Sequence, residues 1–380
     1  MKKFISIFSI IFFLVFSLYL TVQNYENRLY GWDMPGYLGA IYKTDNPSSI
    51  EDVHRIVYSS IQKESSKTAF DKTIGEKPYR AVLKEYAKSS KAFDEQIPYY
   101  QVKHSYNAFA YAVYSSGISA PTSLFVVNAI FYIFLGIILF LIFLTVFPQN
   151  YFLASTLSLL VLSFPPIRHM ASDATPDLVC LSILLLFLFA VLKKYSALFQ
   201  FTVLLNLILI RPDMIILALT YFFLLIFYQY FFNKKFSLEP ILYIFVLGIT
   251  YLGIVKFYHY PGWTDVFYDS FIRRRLYISK ESPNFTVYQY LEVVITNLKN
   301  FKKISFFAIF FLVSIIYFST STWEKLFAVF IFVNIYLKFL IFPLVGEYRF
   351  FVGFILIMVI WLINILNRTN KINFQFYRSL

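Results

Sequence analysis

Long apolar runs separated by short polar turns make up most of the pattern of hydrophobic and polar positions along this chain. The first extends from Phe4 to about Val22, after two lysines, and is close to the roughly 20 residues a helix needs to cross a bilayer. No small-x-small cleavage signal follows it, Ser17-Leu18-Tyr19-Leu20-Thr21 being a poor one. It therefore reads as a retained span with its N-terminus in the cytoplasm. Further runs at 121–147, 152–166, 177–192, 197–210, 213–232, 240–258, 304–320, 325–343 and 350–366 bring the expected count to ten. An even count returns the C-terminus to the side on which the chain began.

One long polar stretch interrupts the pattern after the first run. Within it Val53, Ile56, Val57 and Ile61 recur at helical spacing, as do Tyr79, Val82, Leu83 and Tyr86, and then Tyr106, Phe109, Ala110 and Val113. This is the periodicity of amphipathic helices, and their tyrosines suit a membrane interface, where an apolar ring and a polar tip are both satisfied. The expected fold class is all-α, a polytopic membrane helix bundle. Its first span occupies 1–22, an outer loop with interfacial helices 23–120, the bundle 121–367 with a further outer loop at 259–303, and a cytoplasmic tail 368–380.

Composition agrees with this pattern. The chain is 59% apolar and 14% charged, against roughly 25% charged in soluble domains. Its net charge of +13 would ordinarily raise nucleic acid as a partner. Here the cations gather where a positive-inside bias puts them, at Lys2, Lys3, Lys193, Lys194, Lys234, Lys235, Lys325, Arg368, Lys371 and Arg378, with Glu239 and Glu324 the only acids nearby. They set orientation, and nucleic-acid binding is excluded as a reading. The Lys, Asn, Ile and Phe bias points to a bacterial chain, hence a multi-pass protein of the cytoplasmic membrane with both termini inside. The single cysteine, Cys180, lies in an apolar run, cannot form a disulfide within the chain and reads as packing.

With that topology the outer face collects Asp33, Arg168, His169, Asp173, Asp177, Arg211, Asp213, Lys256, His259, Arg273-Arg274-Arg275 and Glu347-Tyr348-Arg349. Polar groups at membrane depth usually face a cavity or one another. Asp33, between Trp32 and Met34-Pro35, fits a general base whose proton affinity is raised by desolvation. It equally fits a cap or turn, because Asp-x-Pro-Gly is good turn chemistry. Thr175-Pro176-Asp177 reads as a helix start with Thr as cap and Pro at the first position, whereas Asp173 has no such structural role. Arg168 and His169 suit either anion binding or the interface. Arg211 pairs with Asp213 across Pro212 or holds a phosphate. Of Arg273, Arg274 and Arg275 at most two share a helical face, and arginine's planar fork suits phosphate. Lys338, on one face with Asn334, either snorkels to the surface or lines a phosphate pocket with Arg349. Carboxylate and imidazole also suit a divalent cation, although no spacing is diagnostic of one.

Three motifs carry a resemblance: Trp32-Asp33-Met34-Pro35-Gly36-Tyr37 in the first loop, Ser172-Asp173-Ala174-Thr175-Pro176-Asp177 before a span, and Glu347-Tyr348-Arg349 before the last. With a first span, a long outer loop and interfacial helices, they resemble the GT-C class of membrane glycosyltransferases, and Arg211-Pro212-Asp213 is similar to a loop of that class. The resemblance covers most of the chain as topology and about 20 residues as motif. It implies a polyprenyl-phosphate-linked sugar donor, an envelope glycan, lipid or protein acceptor, and apolar spans that hold the polyprenyl chain in the bilayer. The class's first-loop carboxylate falls on Asp33, its second acid on Asp173 or Asp177, and its final-loop arginine on Arg349, with Tyr348 beside it. Asp33 lacks a second acid nearby before Asp45, a departure that bears on metal dependence. Two other classes fit the same residues: a transporter or flippase of a lipid-linked saccharide, which calls for broken helices or paired repeats, and a non-catalytic envelope-assembly protein.

Overall fold

Backbone that leaves water must satisfy its own hydrogen bonds, and a helix does so within one segment. The computed structural model describes residues 2–45, 49–344 and 348–369. Among them there are helices and turns but no strand, only an isolated parallel bridge between Leu29 and Asp173. The first helix is α1 (Lys2–Glu26). The polar stretch folds as α2 (Met34–Asp45), α3 (Ile50–Glu64), α4 (Lys67–Thr73), α5 (Ala81–Lys88), α6 (Ser90–Asp94), α7 (Pro98–Gln101) and α8 (His104–Ser115). The bundle continues with α9 (Ala120–Val146), α10 (Tyr151–Leu162), α11 (Pro165–Ser172), α12 (Asp177–Leu192), α13 (Ala197–Ile210), α14 (Ile215–Phe231) and α15 (Glu239–Phe257). It ends with α16 (Trp263–Phe267), α17 (Val287–Asn300), α18 (Lys302–Phe318), α19 (Thr322–Ile341) and α20 (Val352–Arg368).

Each of the ten apolar runs is helical, but they are not equivalent. Four segments are long and apolar enough to cross a membrane alone: Phe4–Glu26, Ala120–Val146, Pro212–Phe231 and Glu239–Phe257. Counting two bent pairs as single spans makes six, α10 with α11 at 63° and α17 with α18 at 70°. α12, α13 and α20 have 16, 14 and 17 residues; at a 1.5 Å rise they reach roughly 21–26 Å, short of a hydrocarbon core of about 30 Å. A run of apolar residues overstates helical reach wherever proline cuts it, as Pro165, Pro176 and Pro212 do here.

The expected interfacial helices turn out to be a packed cap. α3 buries Val53, Val57 and Ile61, α5 buries Leu83 and Tyr86, and α8 buries Tyr106 and Ala110. These side chains join the same core as the bundle, so Tyr86 and Tyr106 face protein where the sequence pattern suggested a water–lipid boundary. The loop at 259–303 is sewn to this cap: Tyr99 Oη donates to Asp269 at 2.7 Å, Tyr277 Oη to Glu85 at 2.7 Å and Ser279 Oγ to Glu95 at 2.6 Å. That loop also contains α17, whose Tyr288, Leu291, Ile295 and Leu298 form an exposed apolar stripe of the kind that lies along a bilayer surface.

The opposite end of the bundle is held by an ion pair of α19 and α20, Glu324 with Arg368 at 2.5 Å. There Asn367 Nδ2 also donates to the Val146 carbonyl at 2.7 Å. Lys193, Lys194, Lys234 and Lys235 are exposed at helix ends; Lys371, Arg378 and Glu347 fall outside the described residues.

Candidate functional site

The site is built where α1 delivers the chain to the cap. The Leu29 N–H donates to the Ser172 carbonyl at 2.8 Å, and Ser172 Oγ and Arg168 Nε return bonds to Asn24 O and Oδ1 at 3.1 and 3.0 Å. This lays residues 29–33 beside the segment before α12. The Asp33 carbonyl caps α2, accepting from the Gly36 and Tyr37 N–H groups at 3.1 and 3.4 Å. Its carboxylate points elsewhere. Asp33 Oδ1 accepts from Tyr100 Oη at 3.1 Å, and Oδ2 stands 4.0 Å from Arg349 Nη2. The turn reading and the chemical reading thus describe different atoms of one residue. Tyr100 reaches Asp33 because residue 36 is glycine; a Cβ there would sit 2.2 Å from the Tyr100 ring.

Arg349 is the hub. Its Nη1 lies 3.0 Å from Asp173 Oδ2 and 3.1 Å from Asp177 Oδ2. Asp177 also pairs with Arg211, which pairs with Asp213 at 3.1 Å. Lys338 from α19 closes the chain on Asp213 at 2.5 Å. Phe350 supplies a common face, with Arg211 at 4.8 Å, Arg349 at 5.1 Å and Lys338 at 5.8 Å from its ring centre. Four carboxylates and three cations, from five separate segments, so converge at one end of the bundle. The carboxylates outnumber these three cations by one, and Lys103 adds a fourth cation beside Asp33.

The helix start before α12 differs from expectation. Pro176 occupies the cap position, Asp177 is the first helical residue, and Thr175 Oγ1 donates to the Asp177 carboxylate at 3.2 Å instead of capping the backbone. The buried carboxylate needs that donor more than the first turn does.

The remaining candidates lie apart from the hub. His169 is exposed on α11 and touches the cluster through its carbonyl, which accepts from the Asp173 N–H at 3.0 Å. Tyr348 is exposed, as are Lys256 and His259. The three successive arginines diverge completely. Arg273 is exposed near Glu281 at 3.5 Å. Arg275 is buried in an ion-pair knot with Asp269 and Asp265 at 2.8 and 2.7 Å. Arg274 turns to Trp32, 5.5 Å over its ring, beside the site. Among the described residues no three His, Cys, Asp or Glu side chains are set to hold an ion. The guanidinium of Arg349 already fills the point on which Asp33, Asp173 and Asp177 converge. The donor set therefore does not fit a divalent cation.

Phe350 and two further contributors escaped sequence reasoning. Tyr100 is held protonated, well above the ordinary tyrosine range, by burial and then by the Asp33 charge, so it stays a donor to that carboxylate. Lys103 lies over the rings of Tyr37 and Tyr100, at 5.2 and 4.9 Å, and donates to the Tyr99 carbonyl at 2.9 Å. Burial, outweighing the pull of Asp33, lowers its ammonium to about 8. Reductive ¹³C-methylation with NMR detection is expected to show Lys103 titrating near that pH, while Lys84, whose affinity for its proton is raised by Glu76, titrates later. An unfolded chain keeps this proton up to about 10.5. Between the two values the unfolded state binds more protons, so the folded state gains stability from this group as pH rises through that window. A Lys103 midpoint at the ordinary lysine value would contradict the burial.

The chain matches no protein-family model, no curated protein and no solved structure. What stands is an all-helical protein with apolar helices of membrane-spanning length and a buried ionic cluster at one end.

Proposed function

We propose that the protein is a membrane glycosyltransferase that moves a sugar from a polyprenyl-phosphate donor to an envelope acceptor, with Asp33 as general base. The observation that carries this reading is the 4.0 Å gap between Asp33 Oδ2 and Arg349 Nη2. It is too long for a hydrogen bond, yet an oxygen about 2.8 Å from each atom bridges it with ordinary geometry. An acceptor hydroxyl placed there accepts from Arg349 and donates to Asp33. As its oxygen forms the new bond to the anomeric carbon, its proton passes to Asp33. The anomeric carbon–oxygen bond to phosphate breaks, and the electron pair leaves with the polyprenyl phosphate. Arg349 and Arg211 lie close enough to that end to stabilise the developing charge. A single displacement inverts the anomeric configuration.

The same reading takes the ionic end as the outer face of a bacterial cytoplasmic membrane with both termini inside, its ten spans requiring a bilayer that thins around the short α12, α13 and α20. The exposed lysine pairs at the opposite end support that orientation. A second reading, transport of a lipid-linked saccharide, gains support from the two bent helix pairs. Purified protein incubated with a labelled polyprenyl-phospho-sugar and a panel of envelope acceptors separates the two. Glycosyltransfer is expected. Movement of the donor between leaflets without cleavage would favour transport, and neither event would leave the glycosyltransferase reading without support.

A further inference from the structure

Beside the ionic cluster, on the far side of Tyr100, lies a small recess lined by Trp32, Tyr58, Tyr86, Gln96 and Tyr100. Its hydrogen-bonding capacity is unbalanced. Gln96 is only 3% exposed. Its Oε1 accepts from Arg274 Nη2 at 3.0 Å, while its Nε2 is buried with no hydrogen-bond partner. Flipping the amide gives no relief, because it would set one donor against another. Arg274 Nε donates to Tyr86 Oη at 3.4 Å, and Tyr86 spends its own proton on the Arg275 carbonyl at 2.9 Å. Arg274 lies over the rings of Trp32 and Tyr99 at 5.5 and 5.9 Å. Among the described residues no carboxylate stands within ion-pair distance of it, in contrast to Arg275, Arg211 and Arg349.

A half-buried cation with no described carboxylate in ion-pair distance and a buried amide with unused protons both suit the same group, a negatively charged acceptor. No described residue supplies such a group at this point. We propose that the recess is an oxyanion-binding site, taking a carboxylate or phosphate group between Gln96 Nε2 and the Arg274 guanidinium, with Trp32 at its exposed rim. The site is distinct from the Arg349 hub, where Arg211, Lys338 and Arg349 each already have a carboxylate partner. It does not depend on Asp33 acting as a base, since it is defined by binding alone.

The test uses the full chain in phosphatidylcholine nanodiscs near neutral pH, titrated calorimetrically with inorganic phosphate and with glucuronate. Saturable binding of at least one is expected. Gln96→Leu and Arg274→Met should each weaken it by about 10-fold or more, the loss typical of one hydrogen bond to a charged group, and Arg273→Met should leave it unchanged. Should a variant fail to fold, the wild-type protein gives a second readout. Phenylglyoxal labelling followed by peptide mass spectrometry is expected to show Arg274, but not Arg273, protected by the bound anion. Protection in phosphatidylglycerol nanodiscs without soluble anion would support the site and identify a lipid headgroup as its source. No saturable binding and no protection under any of these conditions, or wild-type affinity in a folded Gln96→Leu variant, overturns the proposal.

Discussion

Arg349→Met is expected to destabilise the protein by about 3 kcal/mol, the low end of the cost of removing one partner from a buried ion pair. The side chain is 13% exposed and sits within 3.0–4.0 Å of three carboxylates. Asp177 keeps Arg211 after the change, so the loss falls chiefly on Asp173. That distribution makes the prediction specific. Asp173→Asn introduced on top of Arg349→Met should recover part of the stability, because it removes a charge that Arg349 neutralised, and the double-mutant cycle should show coupling above about 0.5 kcal/mol. Arg273→Met, at a 68%-exposed side chain, should stay within about 0.5 kcal/mol of wild type. Denaturant unfolding in mixed micelles reads all five proteins, the Asp173→Asn single variant completing the cycle. An Arg349→Met variant as stable as wild type would mean that the hub is not closed in the folded protein.

Apolar periodicity made the helical class and the positions of the helices legible, since a bilayer leaves few alternatives for a run of that length. It could not make spans and short helices distinguishable. Asp177–Leu192 and Ala120–Val146 look alike in composition, and only the prolines and the helical rise divide them. The cap was legible as helices but not as packing: a Tyr at helical spacing satisfies a lipid interface and a protein core equally well, and Tyr86 and Tyr106 are in the core. At the site, the charged residues of the hub could be suspected because most of them interrupt or flank an apolar run. Lys338 and Asp213 could be named but not paired, being 125 positions apart in sequence.

Tyr100, Lys103 and Phe350 were invisible for a different reason. Aromatic residues are so abundant here, 47 Phe and 31 Tyr, that none stands out, and Lys103 sits in a polar stretch where a lysine is unremarked. Gly36 was the available signal. A glycine in the first turn of a helix implies close approach by something, and that something is Tyr100. The run Arg273-Arg274-Arg275 shows the converse limit. Three identical neighbours have three environments, exposed, beside an aromatic recess, and locked in an ion-pair knot, because the extended backbone at Arg273 points successive side chains in opposite directions.

Asp33→Asn is the decisive change for the proposed chemistry, because geometry and charge respond to it differently. Asparagine is isosteric, and its Oδ1 still accepts from Tyr100 at the position now 3.1 Å from that hydroxyl. The substitution also removes one negative charge, but Asp33 makes the longest of the contacts to Arg349. The expected stability change is therefore small, within about 1 kcal/mol. Sugar transfer, by contrast, should fall by about 10²–10⁴-fold, the usual contribution of a positioned general base, with donor affinity unchanged, because the amide cannot take the acceptor's proton. Tyr100→Phe should give an intermediate loss, about 10-fold, by freeing the Asp33 carboxylate to turn away from its bridging position. Transfer of labelled sugar by purified variants, with donor binding measured in parallel, distinguishes these effects. A folded Asp33→Asn protein that transfers sugar at the wild-type rate would remove Asp33 from the mechanism and leave the Arg349 hub as a structural clamp.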